Sequence, residues 1–297
     1  MMQSPASQPS FRTSITRRTF LRGTTATLLP RISYALPAYS TPEQTILTDA
    51  LQNTTAIATI LHEQSGRVLA IHGDPESTDT PGSILKPLLL FAALQQSLIA
   101  PKTTVFCRRD LHIDNKSYPC THPQSNISFN AQEALAYSCN TWFASLALRF
   151  TPLRLTEALR AFHLRPALIP TLPGQRQLIA LGLAGISTSP SQVANAYRTL
   201  GNQLGQPFAK PVADGLRDSV SFGMAHNADT SGISISGKTG TASNPPRRPW
   251  SHGWFAGFGT IRGTPLVISV YLPQGNGADA AGLARNFFLV MRDKTTA

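Results

Sequence analysis

Pro81-Gly82-Ser83-Ile84-Leu85-Lys86-Pro87 leads into the longest strongly apolar run of the chain, residues 84–100. The run is apolar nearly all round, broken by Lys86, Pro87, Gln95 and Gln96. That pattern predicts a helix buried at the centre of a domain. Pro87 is compatible with it, because N–H groups of a first turn have no helical partner. Residues three apart share a helix face, so Ser83 and Lys86 are expected to touch. An apolar setting disfavours the charged form of Lys86. A neutral amine beside a hydroxyl can act as its general base. Ser83 would also sit at a helix N-terminus, where backbone N–H groups favour developing negative charge. A helix cap followed by a snorkelling lysine accounts for the same letters.

Outward from this run, residues 55–61 and 67–71 are β-branched or apolar and flank Glu63-Gln64-Ser65-Gly66, the pattern of a hairpin. Residues 43–53 have mild helical periodicity. Residues 101–130 look like loop, with Pro101, Pro119 and Pro123. Residues 131–137 and 141–150 predict two short helices around a polar break, and 153–162 and 191–200 two more. Strands are expected at 233–236, 253–259 and 266–272, with a closing amphipathic helix at 279–291. Strands therefore occur at both chain ends and helices fill the middle. This is an α+β arrangement in which one antiparallel sheet is built from both termini, flanked by helices and joined to an all-helical lobe.

Two further clusters carry polar chemistry. Ser138-Cys139-Asn140 falls in the polar break. An extended segment would point Ser138 and Asn140 to one side, although Ser and Asn also commonly start helices. Lys238-Thr239-Gly240-Thr241 follows an alternating Ile233-Ser234-Ile235-Ser236. A lysine and two hydroxyls at a strand end suit a carboxylate, and Gly240 allows close approach to the backbone. Residues 232–239 also match the phosphate-loop pattern G-x-x-x-x-G-K-[ST] letter for letter. That loop requires a following helix, which Gly240, Asn244, Pro245 and Pro246 oppose.

Taken together and in this order, the three clusters resemble the serine/lysine, serine/asparagine and lysine-threonine-glycine motifs of penicillin-binding transpeptidases and serine β-lactamases. Residues 81–87 look like the nucleophile segment of the transpeptidase branch. Residues 134–141 are similar to its second motif. Gly185-Ile186-Ser187-Thr188-Ser189-Pro190 and 191–197 look like the helix start that precedes the third motif, and His252-Gly253-Trp254-Phe255-Ala256-Gly257 follows it. The resemblance implies a β-lactamase/transpeptidase-like fold from about residue 55 onward. It implies Ser83 as the acylated nucleophile, Lys86 as its base, and Ser138 as proton relay to the leaving amine. Asn140 would hold the substrate amide. Lys238, Thr239, Gly240 and Thr241 would form the carboxylate-binding strand, with the N–H groups of Ser83 and Thr241 as oxyanion hole. The implied partners are peptidoglycan stem peptides, β-lactam antibiotics and cell-wall assembly proteins. No cofactor or metal is implied for the chemistry.

Within this superfamily a β-lactamase also needs rapid hydrolysis of the acyl-enzyme. Glu157 is the only acid between Glu133 and Asp214, and the asparagine expected after it is absent. A carboxylated-lysine branch usually lacks an asparagine at the position of Asn140. Both departures favour a D,D-transpeptidase, with D,D-carboxypeptidase and β-lactamase as alternatives. A β-lactam-acylated sensor or wall-binding module is the non-enzyme alternative. The 297 residues leave no room for a glycosyltransferase domain or a large N-terminal module, so a bare catalytic domain is expected at 41–297.

The net charge of +11 suggests nucleic acid or anionic surfaces. Five of the arginines, Arg12, Arg17, Arg18, Arg22 and Arg31, lie in residues 1–40, which contain no acid. The remainder carries 21 basic and 15 acidic side chains without a dense basic run, so no nucleic-acid partner is expected. Thr16-Arg17-Arg18-Thr19-Phe20-Leu21-Arg22 resembles a twin-arginine export signal, which predicts a periplasmic or secreted protein with 1–40 as leader. No segment reads as a transmembrane helix. In an oxidising compartment Cys107 and Cys120 can close a disulfide and leave Cys139 unpaired. Free thiols, or a zinc site with His112 and His122 nearby, are the alternatives.

Overall fold

The structure is a computed structural model, and it describes residues 41–243 and 249–294. The expected leader lies outside the described residues. Helix α1 (Pro42–Leu51) starts at Thr41, whose hydroxyl accepts the Gln44 N–H. The expected hairpin follows as β1 (Ile57–His62) and β2 (Val68–His72), paired antiparallel. The apolar run does not form one long helix. It opens as a 3₁₀ turn, Gly82–Leu85, continues as α2 (Lys86–Gln95), and turns away through Ser97 in the left-handed region (φ 55°). Pro87, without an N–H, is tolerated at the start of α2.

The stretch read as loop contains short strands: β3 (Val105–Cys107), β4 (His112–Ile113), β5 (Lys116–Ser117) and β6 (Ile127–Phe129). Here β3 pairs with β6 and β4 with β5. Next come α3 (Ala131–Ala136), α4 (Asn140–Ala147), α5 (Pro152–Arg160), α6 (Pro173–Ala180), α7 (Pro190–Gly201) and α8 (Lys210–Ser221). The chain then returns as β7 (Ile235–Ser243), β8 (Ser251–Ile261) and β9 (Thr264–Leu272), and closes with α9 (Gly277–Lys294).

The main sheet has the order β2-β1-β9-β8-β7, so strands from both ends of the chain lie side by side. Alternation along the strands separates two cores. Trp254, Ala256 and Phe258 of β8 and Tyr271 of β9 face the core shared with α2, α4 and α7. Phe255 of β8 and Ile268 and Val270 of β9 face the core shared with α1 and α9, where Phe287 and Phe288 are fully buried. Strand β7 is an edge of this sheet, and its outer side meets the 3₁₀ turn that carries Ser83.

Candidate active site

Three elements deliver the three sequence clusters to one cleft of about 320 Å³, lined by Ser83, Ser138, Asn140, Thr239 and Thr241 among others. Ser83 is half-buried on the 3₁₀ turn, and Lys86, the first residue of α2, is fully buried. In a 3₁₀ turn residues three apart eclipse one another, so both still belong to one face. The hydrogen bonds of Lys86 nevertheless run to the second cluster. Its Nζ donates to the Ser138 carbonyl (2.7 Å), Ser138 Oγ (3.2 Å) and Asn140 Oδ1 (2.7 Å).

Ser138 and Asn140 reach that ammonium by a route other than the extended one expected. Ser138 sits at φ 55°, in the left-handed region, between α3 and α4. This kink turns both its carbonyl and its hydroxyl toward α2. A non-glycine residue held there costs of order 1 kcal/mol or more and persists only where the surroundings over-determine it. The Asn140 side chain is held from its other end, where Nδ2 donates to the carbonyls of Tyr118 and Pro119 (3.3 and 3.1 Å).

The third cluster lies inside β7, not at a strand end, with Lys238 opposite Ala256 and Thr241 opposite Gly253. Its lysine is not solvated. Lys238 is fully buried and donates to the Thr239 carbonyl at 2.9 Å. The strand geometry also removes the phosphate-loop reading, because no helix follows within the described residues of this segment. Thr239 Oγ1 donates to the Met224 carbonyl (3.2 Å), and Thr241 Oγ1 accepts the Gly277 N–H (2.9 Å) at the start of α9.

Neither buried ammonium has a carboxylate within ion-pair distance among the described residues. Burial pushes Lys86 down to about 8, partly offset by the neighbouring Cys139 and Cys120 sulfurs. Lys238 is pushed well below the usual lysine range, chiefly by burial and then by the charge of Lys86.

Glycines let the nucleophile segment lie directly on β7. A Cβ at Gly240 would stand 2.5 Å from the Pro81 carbonyl oxygen and 3.2 Å from the Ser83 nitrogen. Gly82, at φ 58°, would bring a Cβ to 3.0 Å from the Thr241 nitrogen. The backbone nitrogens of Ser83 and Thr241 therefore belong to one tightly packed junction. The segment is fixed from behind as well. Trp254 Nε1 donates to the Thr80 carbonyl (3.0 Å), and the Tyr197 hydroxyl donates to the Ile84 carbonyl (2.9 Å).

The sequence profile of the penicillin-binding protein transpeptidase domain matches residues 56–289. The chain belongs to this family. No curated protein matches it. Solved structures of similar fold include the D,D-transpeptidase domain of a peptidoglycan glycosyltransferase from Eggerthella lenta. It has a TM-score of 0.73 and 18% identity, covering 85% of this chain and 81% of the other. The transpeptidase domain of penicillin-binding protein 3 from Burkholderia pseudomallei has a TM-score of 0.74 and 18% identity, covering 86% and 95%. Pseudomonas aeruginosa PBP2 in complex with WCK 5153 has a TM-score of 0.69 and 19% identity, covering 84% and 73%.

In this transpeptidase domain the cleft also draws on residues that sequence reasoning did not single out: Thr121, Leu181, Leu183, Met224, Asn276 and Gly277. One of them was readable. Asn276 Oδ1 accepts the Ala278 and Asp279 N–H groups, and Asn-Gly before an amphipathic run is a helix-cap signal. Leu181 and Leu183 carry no local signal, because their role is only to be near, and Met224 carries none because it contributes its backbone carbonyl.

The cysteines differ from the expected disulfide. Cys107, Cys120 and Cys139 are all free and buried, and the Cys107 and Cys120 sulfurs are 3.6 Å apart. Cys139 is not set apart from them, since its sulfur is 3.8 Å from that of Cys120.

Proposed function

We propose that this protein is a D,D-transpeptidase that acts on peptidoglycan stem peptides through an acyl-enzyme on Ser83. The family places it among acyl-transfer enzymes of peptidoglycan synthesis. The observation that carries the finer reading is the convergence on Lys86. A buried amine held down to about 8 bonds Ser138 and Asn140 beside a half-buried serine.

The chemistry follows from that arrangement. Neutral Lys86 takes the proton of Ser83 Oγ as the oxygen attacks the carbonyl carbon of the scissile D-alanyl bond. The developing oxyanion is met by the N–H groups of Ser83 and Thr241. Protonated Lys86 returns a proton through Ser138 Oγ to the leaving nitrogen, and terminal D-alanine departs. An acceptor amine then attacks the ester, and the same relay runs in reverse. Asn140 orients the substrate amide. Thr239, Thr241 and the positive end of α9 draw the terminal carboxylate, and Lys238, buried beneath them, adds positive potential in its protonated form. Gly240 keeps the strand close enough for this.

Hydrolysis in the β-lactamase manner is disfavoured by Glu157, which is exposed on α5 and does not line the cleft. We further assign residues 1–40 as a twin-arginine leader and the mature protein to the periplasm or exterior. There the wall polymer and cell-wall assembly proteins would be its partners.

Fluorescent penicillin tests the reading. A stable adduct that disappears in Ser83→Ala is expected, together with D-alanine release from a pentapeptide that an acceptor amine accelerates. Rapid turnover of a chromogenic cephalosporin would replace the reading with β-lactamase. An adduct with no D-alanine release would make the protein a sensor, and neither adduct nor hydrolysis would remove the assignment.

A further inference from the structure

Four side chains that acyl transfer does not use meet behind the second motif. Cys107 ends β3, Cys120 and His122 lie between β5 and β6, and Cys139 precedes α4 between Ser138 and Asn140. All four are buried, and their ligand atoms lie within 4.8 Å of one another. Cys107 Sγ is 3.6 Å from Cys120 Sγ and 3.6 Å from His122 Nε2, and Cys120 Sγ is 3.8 Å from Cys139 Sγ.

Those three spacings match three of the six edges of a zinc tetrahedron, and the other three pairs lie within 4.8 Å. With Zn–S of about 2.3 Å and Zn–N of about 2.0–2.1 Å, tetrahedral angles separate two sulfurs by about 3.8 Å and a sulfur from a nitrogen by about 3.6 Å. A disulfide would need about 2.05 Å and would use two of the three sulfurs. Donors also point at the sulfurs. The Arg109 N–H donates to Cys107 Sγ (3.4 Å) and the Asn140 N–H to Cys120 Sγ (3.2 Å). Cys107 Sγ in turn donates to the Thr141 hydroxyl (3.4 Å), which also lies 3.6 Å from Cys120 Sγ. Zinc takes cysteine as thiolate, and the two backbone N–H groups are donors that metal-bound sulfur can accept. His122 stands edge-on to Phe129, with Nε2 turned to the sulfurs and Nδ1 without a hydrogen-bond partner among the described residues. A proton on Nδ1 leaves the Nε2 lone pair for a metal.

We propose that Cys107, Cys120, His122 and Cys139 form a structural Cys₃His zinc site that positions the second motif. Three soft thiolates and an imidazole in a closed tetrahedron select zinc over hard cations. Binding forms three Zn–S bonds and one Zn–N bond, and the thiol protons leave to solvent without redox change. The metal ties the 105–129 excursion to the α3–α4 kink, the same excursion whose carbonyls hold Asn140. Cys139 is thereby a positioning residue for Ser138 and Asn140. This effect on acylation rests on the acyl-enzyme reading, whereas metal content does not.

The test uses the full chain, purified without chelator. One zinc per chain is expected by elemental mass spectrometry. Cobalt substitution should give thiolate-to-cobalt charge-transfer absorption and the visible bands of a tetrahedral ion. Cys139→Ser and His122→Ala should alter both, and the wild-type measurements stand alone if those variants do not fold. Removing zinc should slow penicillin acylation on the order of tenfold, and adding it back should restore the rate. Protein without zinc and without cobalt charge transfer overturns the site. So does an intact mass lower by two hydrogens with a Cys107–Cys120 cross-link. Full zinc content with acylation unchanged by its removal overturns the positioning role. Zinc retained in a protein that never labels with penicillin leaves the site standing and removes the acyl-enzyme reading instead.

Discussion

Replacing Gly240 by alanine tests whether the packing of β7 on the nucleophile turn is what makes the site work. The new Cβ would meet the Pro81 carbonyl oxygen at 2.5 Å, where ordinary contact begins at 3.4 Å. Backbone stands on both sides, so the roughly 0.9 Å shortfall must be met by moving β7 and the 81–83 segment apart. A displacement of about 1 Å at a reacting centre costs on the order of 100-fold in rate, or about 2.7 kcal/mol of barrier. The second-order rate constant for labelling by fluorescent penicillin should fall by about that factor. Thermal unfolding should report a smaller loss, about 1–3 kcal/mol. Gly282→Ala is the control: a Cβ there meets nothing within 4 Å among the described residues, and alanine on α9 should stabilise by up to about 1 kcal/mol without slowing acylation. If Gly240→Ala acylates within about threefold of the wild type while folded, the close junction is not the source of reactivity and the oxyanion-hole assignment fails.

Because the base must be neutral and Lys86 is held down to about 8, acylation should rise with pH. About a tenth of the amine is neutral at pH 7 and about nine-tenths at pH 9, so a rate profile flat across this window would exclude Lys86 as the base. Lys86→Arg keeps the charge but cannot lose it, and should abolish labelling. Lys238→Ala should weaken binding of substrates that carry a terminal carboxylate by about 10- to 100-fold in KM, with little effect on a substrate amidated at that end. Tyr197→Phe leaves the buried Ile84 carbonyl without its hydroxyl donor. A loss of about 1–2 kcal/mol, or roughly 3–6 °C in Tm, is expected in a melt.

The elements legible in the sequence were those with a local period or a local cap. The β1–β2 hairpin, α7 with its Ser189–Gln192 capping box, and the alternation of β8 and β9 all announce themselves within ten residues or so. Helix α8 is not among the helices expected from the sequence, and Pro211 and Gly215 are both poor helix formers. Yet Pro211 sits in the first turn, and Gly215 is where the Leu135 side chain of α3 packs, 2.9 Å from a would-be Cβ. Strand β7 was cut short for a similar reason. Gly237 and Gly240 weaken strand propensity, while Phe255 and the Pro81 carbonyl leave no space for anything larger.

Sequence alone determined which residue types were available for chemistry, in what order, and that both chain ends would share a sheet, because these depend on composition, spacing and side-chain period. Only tertiary structure decided that Lys86 bonds Ser138 and Asn140, that Lys238 is buried with no acid partner among the described residues, and that three cysteines and a histidine converge. Each of those facts is a distance between residues far apart in the chain. Such distances follow from how helices and sheet close over one another, and no local pattern encodes them.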